Sequence, residues 1–214
     1  MGELAAHVAH DLKAPLASLN AATTLLEQGA DHATIVELFQ LSTKRLTGIA
    51  EDLLNNYSKT KTKPEPFILH PVLDELVREY QAQEKFANVA FIRQYETEPV
   101  TLFGVRPKLQ RAFGNIIKNA IEAMECRGKI VLGIQRNCKN VTVAISDTGP
   151  GMTAELLAKV MSGGYTYGKA DGHGIGTLVV KKVVEEFQGE LKVESIHGKG
   201  TTFYVALPIY QQSQ

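Results

Sequence analysis

Tryptophan is absent from the sequence, aromatic residues make up only 7% of it, and cysteine occurs twice in 214 residues. Cys126 and Cys138 lie outside any Cys-x-x-Cys spacing. They exclude a disulfide-stapled scaffold and a thiolate zinc site, and they fit a reducing compartment. An excess of either charge is missing too. The 23 basic residues balance 23 acidic ones, so no nucleic-acid partner and no membrane-surface patch is expected. There is no signal peptide, no run of ~20 apolar residues, no internal repeat and no low-complexity tract. What remains is 44% hydrophobic residues, enough for a core in each of one or two domains.

The first of these domains is helical. Ala5, Leu12, Leu19 and Leu26 recur every seven residues, as do Val8, Pro15 and Ala22, tracing an apolar seam along one amphipathic helix. His10 falls about 200° round from that seam at ~100° per residue, which points it outward. Asp11 follows it, and Pro15 forces a kink one turn later. An outward imidazole, an adjacent carboxylate and a costly proline predict a reactive histidine. A metal pair of His7 and His10 would need a third ligand, and none stands at a useful spacing. Gly29 suits the end of this helix, and Asp31 suits the cap of a second helix carrying Phe39, Leu46 and Leu53 at seven-residue intervals, with Ile35 and Ile49 flanking. Two helices with one apolar stripe each close a core most simply by pairing two hairpins, so a homodimeric four-helix bundle is expected. The other arrangement is a monomeric hairpin lying against the second domain.

Residues 1–60 are expected as this hairpin, 61–66 as a solvated Lys- and Pro-rich linker, and 67–210 as an α/β domain. Helices are expected near His70–Lys85, from Pro107 to about Cys126, near Ala154–Val160 and near Ile175–Phe187. Strands are expected near Val89–Tyr95, Val100–Phe103, Ile130–Gln135, Val141–Ser146, Leu191–Ser195 and Thr202–Leu207. The irregular alternation predicts an α/β sandwich with a mixed sheet rather than a doubly wound parallel fold.

Three constellations in this domain carry chemistry. Asn115 and Asn119 stand one helical turn apart and share a face with Glu122, opposite Phe113, Ile117 and Ile121. Paired carboxamides suit a hard cation that also carries water and phosphate. Asp147-Thr148-Gly149-Pro150-Gly151-Met152 ends a strand. Its carboxylate can accept a hydrogen bond from an exocyclic amine, while Gly149 and Gly151 let backbone approach a flat base. Gly172-His173-Gly174-Ile175-Gly176-Thr177 opens a helix whose N–H groups and positive dipole end suit phosphate. A Walker-type phosphate loop is absent.

His10-Asp11-Leu12-Lys13-Ala14-Pro15-Leu16 resembles the phospho-acceptor box of sensor histidine kinases. In their order and spacing the three later constellations resemble the N box and the two glycine boxes of the GHKL (Bergerat-fold) ATP-binding domain. Gly200-Thr201-Thr202-Phe203 resembles its closing strand. The resemblance spans about Leu4 to Pro208. It implies that His10 accepts the phosphoryl group, with Asp11 as general base. It implies Asn119 as the principal Mg²⁺ ligand, with Asn115 beside the phosphates, and Asp147 at the adenine amine. Gly149 and Gly151 would shape the base site and Gly172, Gly174 and Gly176 the phosphate end, with His173, Ile175, Thr177 and Thr201 also at the nucleotide. A mobile segment over Met161–Asp171 would cover ATP, with Lys169 on a phosphate.

The implied partner is a receiver domain whose aspartate takes the phosphoryl group. With Met1 only nine residues before His10, the expectation is a cytoplasmic fragment of a longer protein, and the sequence leaves open whether a missing N-terminal region anchors that parent at the inner membrane. Hydrolytic GHKL enzymes place a water-activating glutamate where this chain has Asn115, which favours transfer to histidine. Related kinases with phosphatase activity place Thr, Asn or Gln where this chain has Ala14, so weak phosphatase activity is expected. A GHKL-type ATPase and a nucleotide-binding dimeric scaffold are the competing classes. The first is opposed by Asn115, and neither explains the acceptor box on a heptad hairpin.

Overall fold

A computed structural model describes residues 2–29, 31–36, 38–40, 42, 43, 46, 63–96, 98–161 and 175–211. The chain divides into two compact units, Met1–Thr60 and Lys61–Gln214.

Helix α1 spans Gly2–Glu27 with Pro15 inside it. It stops where Gly29 adopts φ 71° and its N–H bonds the Leu26 carbonyl at 3.2 Å, a left-handed closure that glycine makes without Cβ strain. Asp31 caps the second helix, α2, whose described helical residues are 32–36, 38–40, 42, 43 and 46. Its Oδ2 accepts the Thr34 N–H at 3.3 Å, which satisfies one orphan donor of the first turn. Pro15 and Ala22, seven apart, are buried, whereas Leu16 and Leu26 are exposed. In α2 the buried line is Ile35 and Ser42, and Phe39 of the expected seam is exposed. The Ile35 line, expected to flank the seam, is thus the one buried within the single hairpin. A serine in the buried line hides it from a hydrophobic count, because Ser42 returns its hydroxyl to the Leu38 carbonyl at 2.7 Å. Leu53 and Ile49 lie outside the described residues.

The second unit begins earlier than expected. Strand β1 is Glu65–Ile68, so Glu65 and Pro66 belong to a strand and not to the linker. It pairs antiparallel with β3, Thr101–Gly104, in a separate two-stranded sheet, where Pro66 costs no ladder bond that a central strand would need. The main sheet has β2 (Val89–Tyr95), β4 (Gly128–Arg136), β5 (Asn140–Asp147), β6 (Glu190–Ile196) and β7 (Gly200–Pro208) in the order β2-β4-β5-β7-β6. Only the β2–β4 pair is parallel, so the sheet is mixed, as expected.

Helices α3 (Leu69–Gln81), α4 (Arg106–Ala123) and α6 (Ile175–Glu186) pack with one face of this sheet, and α5 (Ala154–Met161) is short. Alternation decides which strand residues join the core. Val141, Val143, Ile145 and Asp147 of β5 are buried, and the residues between them are half-buried. On α4 the apolar face of Leu109, Phe113, Ile116, Ile117 and Ile121 is sealed, which turns Asn115 and Asn119 to the half-buried flank.

Candidate nucleotide site

Asp147 ends β5 with its side chain on the helix-covered face, 8% exposed. Its Oδ1 accepts the backbone N–H of Gly149 at 2.8 Å and of Thr201 at 3.3 Å. No described residue donates to Oδ2. Burial pushes the carboxyl above its ordinary value, and the two backbone donors oppose that shift. A buried acid with one satisfied oxygen and one free oxygen is built to receive a donor from a ligand.

The turn after Asp147 is held tightly. Gly151 has φ 62°, and a Cβ there would land on the Ile196 carbonyl oxygen. A Cβ on Gly149 would come within 2.9 Å of Asp147 Oδ1 and 3.3 Å of Met124 Cγ. Gly149 thus lets the C-terminal end of α4 close on the turn, which brings the asparagine helix beside the carboxylate strand. From behind, Tyr80 of α3 donates to the Gly114 carbonyl at 3.1 Å, one residue before Asn115. Burial, reinforced by Glu79 and Glu122, pushes that phenol up to about 12, so it stays a donor at any physiological pH.

Neither the Asn115 nor the Asn119 side chain has a hydrogen-bond partner among the described residues. Among those residues no three His, Cys, Asp or Glu side chains gather into a metal cage. Half-buried carboxamides without partners, and no carboxylate cage, fit Mg²⁺ held mainly by ligand phosphates and water. Helix α6 opens at Ile175, so Ile175, Gly176 and Thr177 form its first turn, and Thr177 is buried. That 12-residue helix offers its positive end there. Lys169, Gly172, His173 and Gly174 lie outside the described residues, as does nearly all of the expected ATP-covering segment. His10 and Asp11 lie within α1 of the first unit.

Sequence reasoning missed two residues. Met124 is buried beside the turn, as is Met152 of the Asp147 motif. Ser195 bonds Met152, Gly200 and Thr201. A lone methionine and a lone serine have no spacing that marks them.

A mixed five-stranded sheet with helices on one face and this acid–glycine–asparagine arrangement define an ATP-binding sandwich. The chain belongs to the sensor histidine kinases. Residues 104–211 match the family "Histidine kinase-, DNA gyrase B-, and HSP90-like ATPase", and residues 1–59 match the His Kinase A phospho-acceptor domain. Sporulation kinase E of Bacillus subtilis (strain 168) is 30% identical over 217 residues, covering 100% of this chain and 29% of that protein. Histidine-protein kinase AtoS of Escherichia coli (strain K12) is 28% identical, covering 99% of this chain and 35% of that protein. The chain thus spans about a third of the length of these two curated relatives. Among solved structures, histidine kinase ThkA in complex with response regulator protein TrrA has a TM-score of 0.72 at 22% identity. That likeness covers 97% of this chain and 61% of that one, and it is a likeness of fold.

Proposed function

We propose that this chain transfers the γ-phosphoryl group of ATP to His10 and passes it on to an aspartate of a receiver domain. The observation that carries the nucleotide half is the buried Asp147 carboxylate with one unoccupied oxygen. The acceptor half rests on His10-Asp11 within a matched phospho-acceptor domain.

Chemistry assigns the roles. Imidazole Nε2 of His10 attacks the γ-phosphorus in line; the new N–P bond forms as the bond to the β–γ bridging oxygen breaks, and ADP leaves. Asp11 holds the Nδ1 proton, which fixes the tautomer and stabilises the positive charge that grows on the ring. Asn119, with Asn115 beside it, would hold Mg²⁺, which when bound offsets the triphosphate charge. Asn115 in place of a glutamate leaves no general base for water there, so histidine is favoured as acceptor. Ala14 has no side-chain hydrogen bond with which to hold a hydrolytic water, so phosphatase activity is weak.

Two hairpins pair as a dimer in this reading. Leu16, Leu26 and Phe39 are exposed at 49%, 55% and 39% in the single hairpin, and a second copy would cover them. Residues 61–64 act as the linker between hairpin and ATP domain. No described helix is long and apolar enough to cross a membrane, and an anchor at the inner membrane would belong to the parent protein.

The test is incubation with Mg²⁺ and γ-labelled ATP, then treatment with acid and alkali, then addition of a receiver domain. The expected label is lost in acid, kept in alkali, and moved to the receiver. An acid-stable label, or free phosphate with no labelled protein, would sink the proposal.

A further inference from the structure

Ser195 is absent from every motif that marks the nucleotide site, yet its hydroxyl joins three of the site's parts. Ser195 of β6 stands directly opposite Thr201 of β7. Ser146 pairs with Thr202, which puts Asp147 beside Thr201 on the next strand. The three side chains form a row across β6, β7 and β5 on the helix-covered face.

The protons in this row follow from counting. A serine hydroxyl has one proton to give and two lone pairs to receive. Ser195 Oγ lies 2.7 Å from the Met152 N–H, 3.1 Å from the Gly200 carbonyl oxygen and 2.9 Å from Thr201 Oγ1. The Met152 N–H only donates, and the Gly200 carbonyl only accepts. All three bonds are made at once only when the serine proton goes to Gly200 and Thr201 donates its own proton to Ser195. Thr201 is itself buried, and its hydroxyl is left with lone pairs alone to offer a ligand. Beside it stands the Asp147 carboxylate, also an acceptor.

The geometry points to Ser195 as a positioning residue for base selection: by taking the Thr201 proton it makes the base-edge wall of the ATP site acceptor-only. Such a wall suits the exocyclic amine of adenine, which offers two N–H groups, and opposes a purine carrying an oxygen at C6. The inference rests on the ATP-site reading above. Without the Ser195 oxygen, the Thr201 hydroxyl is free to rotate and to donate to that oxygen, so discrimination relaxes.

The test compares dissociation constants for ATP and ITP, which carries O6 without the 2-amino group of guanine, in five proteins: wild type, Ser195→Ala, Ser195→Thr, Thr201→Val, and Thr201→Val with Ser195→Ala. In Ser195→Ala the preference for ATP falls about tenfold, one hydrogen bond's worth at ~1.4 kcal/mol per decade. Ser195→Thr keeps the hydroxyl and keeps the preference within about threefold. In a Thr201→Val background, Ser195→Ala no longer changes the ratio. A merely structural role for Ser195 would weaken both nucleotides by one factor and leave their ratio unchanged, and that result overturns the inference. So does a ratio that still moves in the Thr201→Val background. Failure of the wild-type protein to bind ATP would instead overturn the underlying site reading.

Discussion

The backbone N–H of Thr201 reaches across from β7 to the Asp147 carboxylate at 3.3 Å, on the same oxygen that takes the Gly149 N–H at 2.8 Å. Two fixed donors on Oδ1 lock the carboxylate plane and turn Oδ2 into the free acceptor. The closing strand therefore aims the acid, and the acid in turn ties that strand to the turn that would flank the base.

Asp147→Asn should separate binding from folding. Asn can keep Oδ1 as acceptor of both N–H groups, but it offers an NH₂ donor where Oδ2 was. ATP affinity should fall by tenfold or more, while the unfolding free energy changes by roughly 1 kcal/mol or less. Calorimetric binding and thermal melting of the same variant check both halves.

The pH dependence follows from the same residue. Burial raises the folded-state pKa of Asp147, so its contribution to stability is fully present below the unfolded carboxyl pKa and is lost as pH rises through the raised value. The ionised group is a cost to the free protein and a benefit to the complex. ATP affinity should thus start to fall, on acidification, at a higher pH than an ordinary carboxylate would give. Titration of the ATP dissociation constant against pH, in wild type and in Asp147→Asn, reads this directly, and the step should vanish in the variant.

Two glycines predict opposite outcomes. A Cβ on Gly114, in the middle of α4, would sit an ordinary 3.5 Å from Leu76. Gly114→Ala should therefore stabilise the domain by about 0.5–1 kcal/mol through helix propensity. Gly151→Ala sets a Cβ on backbone at φ 62° and should cost more than ~2 kcal/mol together with ATP binding. Chemical denaturation of both variants tests the contrast.

Helix α6 ends in a Schellman closure, with Gly189 N–H to the Val184 carbonyl and Gln188 N–H to the Glu185 carbonyl, both at 2.9 Å. The left-handed position is Gln188, exposed, at φ 57°. Gln188→Gly should raise stability by roughly 1 kcal/mol, with nucleotide affinity unchanged.

These particulars show what sequence can carry. The helix carrying Asn115 and Asn119, the strand end at Asp147 and the opening of α6 at Ile175 were legible, because apolar periodicity and glycine placement mark them. The alternation along β5 and β7 was legible because burial of one face enforces it. The pairing of β1 with β3 was not, since a four-residue strand containing Pro66 reads as linker. Nor was the buried line of α2, where Ser42 interrupts the apolar pattern. Gln188 escaped because the closure it makes normally announces itself by glycine, and Ser195 because its role depends on neighbours brought from two other segments.

The most direct test of the central claim is autophosphorylation from γ-labelled ATP by wild type, His10→Gln and His7→Gln, side by side. The account predicts acid-labile label in wild type and His7→Gln and none in His10→Gln, with ATP affinity equal in all three. Label retained in His10→Gln at the wild-type level would contradict it.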